Sequence, residues 1–95
     1  MNKLFFVKKL ALSYGADDLY PSNRKNKKYA VLYNGKIIHY GDSRYQDYID
    51  HKNNERKKQY LARATNIRNS NGKLTYLDKS SPNFWSVFTL WNEQM

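Results

Sequence analysis

No cysteine occurs among the 95 residues, which excludes disulfides, thiolate zinc sites and cysteine nucleophiles and suits a reducing compartment. Glycine (4) and proline (2) are scarce, and neither a Gly-rich phosphate loop nor a G-x-S-x-G elbow is present. No apolar run approaches the roughly 18 residues of a spanning helix, so membrane insertion is not expected. The start, with Leu4-Phe5-Phe6-Val7 after Lys3, mimics the front of a signal peptide, but Lys8 and Lys9 interrupt it. The expectation is therefore a chain that is not secreted. Acidic residues are also few, 8 against 17 Lys and Arg, for a formal charge of +9. Such an excess costs self-repulsion and points to a polyanionic partner. What is plentiful is apolar and aromatic: 40% hydrophobic and 16% Phe, Trp and Tyr. That is too much to bury for a disordered tail and enough for one core, so residues 1–95 are expected to form a single domain.

The expected class is α+β. Lys3 to Leu12, rich in Phe, Leu and Val with no clean helical stripe, reads as a strand. Turn chemistry follows at Tyr14 to Asp18, and Pro21 holds Tyr20 out of the helical region to start a loop. The clearest element is a hairpin over 28–41, with Asn34-Gly35 suited to both positive-φ positions of a type I′ turn. Tyr45, Tyr48 and Ile49 then carry the chain across the sheet as a turn or short helix. Asp50 is the expected N-cap of a main helix over about 51–67, where Tyr60, Leu61, Ala64 and Ile67 recur at three- and four-residue steps. Asn71-Gly72 makes a second turn, joining short extended pieces near Ile67 and Leu74. Ser81-Pro82 starts an aromatic helix over about 82–92. Its apolar residues cover most of the circumference, so it should pack between other elements. The expected core is Tyr48, Tyr60, Leu61, Phe84, Trp85, Phe88 and Trp91.

Two basic groups stand out. Arg24, Lys25, Lys27 and Lys28 put four positive charges into five residues. On the main helix, Lys52, Arg56 and Arg63 fall within roughly 40° of one another, with Gln59 between them. Lys57 and Arg68 lie nearer the apolar side and reach out by snorkelling. Together these nine residues are the expected contacts to a DNA or RNA backbone, with affinity that falls steeply in salt. The ordinary alternative is a solvated helix face. The nine tyrosines could stack unpaired bases, though in the hairpin their alternation also suits packing. His39, His51, Asp42, Asp47 and Asp50 form too loose a pattern to indicate a metal site, and no cofactor is expected. Tyr29 and Tyr40-Gly41 are similar to the paired tyrosines of GIY-YIG nucleases. However, no Gly-Ile precedes Tyr29, and after Glu55 the only glutamate is Glu93. An enzyme is not expected.

Several ordered blocks are distinctive: Gly35 to Tyr45, Asp47 to Lys52, Tyr60-Leu61-Ala62-Arg63, Ser81 to Ser86, and Leu90-Trp91. Over about Lys27 to Trp91 the chain resembles a family of small uncharacterised basic proteins of nucleocytoplasmic large DNA viruses and some phages. Where a His commonly follows the Ala-Arg pair in that family, this chain has Ala64 and Thr65. The resemblance implies a viral origin and a globular module, placed in the virion or in the host cytoplasm or nucleus. It sharpens two expectations. One is a nucleic-acid-binding protein that condenses or packages the genome. The other is a minor virion protein cementing capsid subunits, with the Leu4–Val7 strand added to a neighbour's sheet edge and the positive charge set against acidic capsid surfaces.

Overall fold

A computed structural model of the chain describes residues 2–91. Its elements run α1 (Lys3–Ser13), β1 (Asp18–Pro21), β2 (Lys27–Tyr33), β3 (Lys36–Asp42), α2 (Tyr48–His51), α3 (Asn54–Ala64), a 3₁₀ turn (Thr75–Leu77) and α4 (Pro82–Leu90). The class is α+β, as the sequence implies. The strands form one antiparallel sheet in the order β1-β2-β3. The hairpin has the expected turn, with Asn34 at φ 52 and Gly35 at φ 76. Register places Tyr29 opposite Tyr40, and Val31 opposite both Leu19 and Ile38. These residues share one face and join Val7, Ala11, Phe84, Trp85, Leu90 and Trp91 in the core. The opposite face carries the cross-strand neighbours Tyr20, Ala30 and His39, where the His39 ring Nδ1 lies 2.8 Å from the Ser22 hydroxyl.

The N-terminal segment is a helix, not the expected strand. The Asn2 side chain caps it by accepting from the Phe5 N–H at 3.3 Å, and Leu, Lys and Ala within it are good helix formers. A stripe is present: Val7 and Ala11 are buried while Leu4 and Tyr14 pack against the same core. Exposed Phe5 and Leu12 fill the gaps between them and hide the period. Leu4–Val7 therefore has no free ladder to lend to a neighbouring sheet. The third strand is instead β1, from residues expected to form a turn and the start of a loop. It starts the sheet because Asp17 N–H and the strand itself pair with β2.

The expected main helix is broken in two. Asp47, not Asp50, caps the first piece. Its side chain accepts from the Ile49 N–H at 3.0 Å, and Asp50 reaches back to the Asp47 N–H at 3.2 Å in a capping box. Lys52 then turns into the left-handed region at φ 51. Asn53 restarts the helix by accepting from the Glu55 and Arg56 N–H groups at 3.0 and 3.1 Å. The α3 helix ends at Ala64, and Ile67 is exposed. The second Asn-Gly turn closes with the isolated bridge between Arg68 and Leu74. Residues 75–77 then coil into the 3₁₀ turn instead of extending.

The α4 helix starts as expected, with Ser81 as cap and Pro82 in the first turn. Its expected end at residue 92 lies outside the described residues. Trp85 is fully buried, and its indole N–H donates to the Lys79 carbonyl at 2.8 Å. Asn83 ties the helix to the end of α3 and to the 3₁₀ turn by donating to the Ala64 carbonyl (2.7 Å) and the Thr75 hydroxyl (2.9 Å). Of the other expected core residues, Phe84 and Trp91 are buried, and Tyr48, Tyr60, Leu61 and Phe88 pack half-buried against them. Among the described residues no helix is long and apolar enough to cross a membrane.

Candidate nucleic-acid interface

A cleft of about 630 Å³ opens between the free end of the β2-β3 hairpin, the loop that follows it, and the outer face of α3. Lys27 and Lys28 enter from the start of β2, and Gly41 and Asp42 from the end of β3. Tyr45, Gln46 and Asp47 come from the loop, and Arg56, Gln59, Tyr60 and Arg63 from α3. Ser86, Leu90 and Trp91 close the back. The helical contribution follows from spacing. Positions 56, 59 and 63 are three and seven residues apart, which at about 100° per residue puts all three on one side of α3. Gly41 sits at φ 80, and a Cβ there would lie 3.0 Å from the Lys28 Cβ and 3.1 Å from a Leu90 methyl. Glycine thus permits the close approach of β3 to β2 and α4 at the cleft wall.

The floor is aromatic. Tyr60 and Trp91 stack at 4.0 Å with 8° between their planes, and the Tyr60 and Ser86 hydroxyls are hydrogen-bonded at 2.7 Å. Burial pushes the Tyr60 phenol up from its ordinary value. Beside the floor, the His51 ring lies 5.3 Å from Trp91. Its Nδ1 accepts from the Asn53 N–H at 2.9 Å, which leaves the proton on Nε2 in the neutral ring. Burial, then the charge of Arg56, keeps that ring below its usual pKa.

The carboxylates of the cleft are already engaged. Asp47, with only 2% of its side chain exposed, lies 2.7 Å from the Lys28 ammonium and 2.9 Å from that of Lys3. Asp50 joins the same cluster at 2.9 Å from Lys3, so α1, β2 and the start of α2 meet in one ionic knot. Desolvation alone would raise the Asp50 pKa. The Lys3 hydrogen bond, the Asp47 N–H and both lysine charges outweigh it and lower the value. On the opposite wall the Arg44 guanidinium and backbone N–H hold Asp42 at 2.9 to 3.0 Å, and these bonds bring its pKa down to about 2. By contrast, the ion pairs among the described residues do not include Lys27, Arg56 or Arg63. With the acids neutralised locally, these three cations dominate the field in the cleft.

The lowered carboxyl pKa values of Asp42 and Asp50 carry a consequence for stability. A carboxyl that ionises more readily when folded stabilises the fold above its ordinary value of 3.8, and that contribution is lost as pH falls through the folded value. The expected result is a melting midpoint that declines from about pH 4 towards pH 2. Circular dichroism melts across that window check it, and a flat midpoint would exclude the contribution.

The sequence-predicted contacts divide clearly. Lys27, Lys28, Arg56 and Arg63, from segments about thirty residues apart, meet in the cleft. Arg24 and Lys25 are exposed on the β1-β2 connection and do not line it. Lys52, displaced by the helix break, is exposed outside the cleft. Arg68 donates to the Gly72 carbonyl at 2.7 Å and braces the second turn. Lys57 overturns the snorkelling expectation. It is 7% exposed, with its ammonium 4.8 Å from the centre of the Tyr48 ring, and desolvation lowers its pKa. A cation so covered does not offer a phosphate contact. Gln46 escapes sequence reasoning because nothing in a polar loop marks it, and Tyr45 is not distinguished there from the other eight tyrosines. The Asp47 to Asp50 spacing is a legible capping signal. The residues of the loose metal pattern are occupied separately, and among the described residues no group of three or more His, Cys, Asp or Glu is placed to hold a metal. Tyr29 and Tyr40 are buried cross-strand partners, and the Tyr40 hydroxyl is bonded to that of Thr89 at 2.8 Å.

Residues 18–64 match the model of a family of unknown function, DUF5754. The matched segment starts at the first residue of β1 and ends at the last residue of α3. It contains the sheet and every cationic residue of the cleft, while Ser86, Leu90 and Trp91 lie beyond it. Neither the curated proteins nor the solved structures yield a match.

Proposed function

We propose that this chain is a small basic protein that binds nucleic acid through phosphate contacts in the cleft between the hairpin and α3. The observation that carries the proposal is the convergence of Lys27 with Arg56 and Arg63 in a cleft whose acids are engaged by other lysines and an arginine. Arginine forks suit phosphate oxygens, and Gln59 between them adds a neutral donor and acceptor. The role is one of binding, with no chemical step. The resemblance to small basic proteins of large DNA viruses supports packaging or condensation of a genome as its setting, in which sequence-tolerant backbone contacts are what is needed.

The test is fluorescence anisotropy of labelled DNA and RNA titrated with the protein at salt from about 50 to 200 mM, the range over which phosphate-driven affinity falls steeply. Micromolar or tighter binding at the low end is expected. The logarithm of the binding constant should fall against that of salt with a slope near −2 to −3 for three phosphate contacts. A folded protein that binds neither polymer at 50 mM salt would end the proposal and turn attention to acidic protein surfaces, such as those of a capsid.

A further inference from the structure

The lining of the cleft is richer than a phosphate ridge requires. A duplex meets a surface with its sugar and phosphate backbones and keeps its bases stacked inside, so cations alone suffice to hold it. Here a second depression of about 570 Å³ adjoins the first, and the two share Lys27, Lys28, Tyr45 and Gln46. Tyr45 therefore stands between two adjoining hollows. Its side chain is prominent, with the residue 66% exposed.

The turn that carries the ring is braced by hydrogen bonds. The Tyr45 N–H donates to the Asp42 carbonyl at 3.1 Å. The neighbouring Arg44 is fixed to the Asp42 carboxylate by its backbone and its guanidinium, which lies 5.8 Å from the centre of the Tyr45 ring. An exposed aromatic ring beside cations is the arrangement by which proteins bind unpaired strands, since every base has a face to stack. The Tyr60 and Trp91 rings, stacked on each other and packed into the core, offer less open face than Tyr45 does. Arg56 and Arg63, seven residues and about 10.5 Å apart along the helix, reach separate phosphates of one strand, and the Gln59 carboxamide between them can meet a base edge.

We infer that the cleft takes an unpaired segment of nucleic acid, with one base stacked on Tyr45 and the flanking phosphates held by Lys27, Arg56 and Arg63. The inference rests on the nucleic-acid reading above and adds to it the form of the polymer. Duplex DNA would bind only across the mouth, through its backbone.

The test compares a labelled single strand of about ten nucleotides with a duplex of the same length at low salt, for the native protein and for Tyr45→Ala and Tyr45→Phe. The single strand should bind the native protein at least about tenfold more tightly, a difference within the range of one stacked base. Tyr45→Ala should lose most of that advantage, with the salt slope and the duplex affinity unchanged, while Tyr45→Phe retains it. Equal affinity for the two forms, or a Tyr45→Ala variant that binds the single strand as well as the native protein does, would overturn the inference and leave phosphate binding standing. Loss in Tyr45→Phe equal to that in Tyr45→Ala would overturn stacking in favour of the hydroxyl. Failure of both polymers to bind would remove this inference together with the proposal beneath it.

Discussion

Trp85→Ala is expected to cost about 3 to 5 kcal/mol, the range for truncating a large aromatic residue in a packed core. The indole is fully buried. It packs 4.9 Å from the Phe84 ring of the same helix and 5.6 Å from that of Tyr33, so it joins α4 to the sheet. Removing it also leaves the Lys79 carbonyl without its 2.8 Å donor. For a domain of this size each kcal/mol shifts the melting midpoint by about 4 to 8 °C. Total stabilities of about 5 to 15 kcal/mol are usual, so the variant should melt at least about 12 °C lower or not fold at all. Phe5→Ala is the control: at 68% exposure it should move stability by no more than about 0.5 kcal/mol. A Trp85→Ala melt coincident with that of the native protein would remove the residue from the core.

The largest effect on binding is expected from reversing three cations of the cleft together, as Lys27→Glu, Arg56→Glu and Arg63→Glu. Hydrogen bonds to charged groups contribute about 1.5 to 3 kcal/mol each, so the triple variant should bind nucleic acid about a thousandfold more weakly or worse. Its salt slope should flatten by about one unit for each phosphate that is no longer neutralised. All three side chains belong to exposed residues, so the melting midpoint should stay within a few degrees of the native value. The decisive comparison is Lys9→Glu, Lys36→Glu and Lys73→Glu, also exposed, which changes the formal charge of +9 by the same amount away from the cleft. Equal weakening in the two triple variants would mean that affinity follows net charge and that the cleft has no special part in it.

Much of this arrangement is legible in the residues, and where it is not the reasons are physical. Asn34-Gly35 determines a hairpin because few other pairs accept two positive φ angles, and Ser81-Pro82 determines a helix start for an equally local reason. The Arg56, Gln59 and Arg63 face follows from periodicity alone. That this face would meet Lys27 cannot be read locally, because the meeting depends on how α3 crosses the end of the hairpin. The N-terminal helix is obscured by its own surplus of apolar residues, as Phe5 and Leu12 occupy positions that an amphipathic helix usually gives to polar side chains. The break at Lys52 has no glycine or proline to announce it. It depends on Asn53, which competes for the backbone as a cap more strongly than it supports a helix interior. Periodicity puts Lys57 on the apolar side, where it lies; what it cannot give is that Tyr48 covers the ammonium there.

The placing of the two tryptophans makes the molecule its own optical instrument. One indole, Trp85, is sealed in the interior, and the other, Trp91, forms part of the cleft lining against Tyr60. With Trp91 replaced by Phe, the remaining emission should report folding and stay unchanged when nucleic acid is added. With Trp85 replaced by Phe, the emission should come from the cleft and dim or shift as an occupant arrives. Two unlabelled variants would thus separate the loss of structure from the filling of the site within a single cuvette.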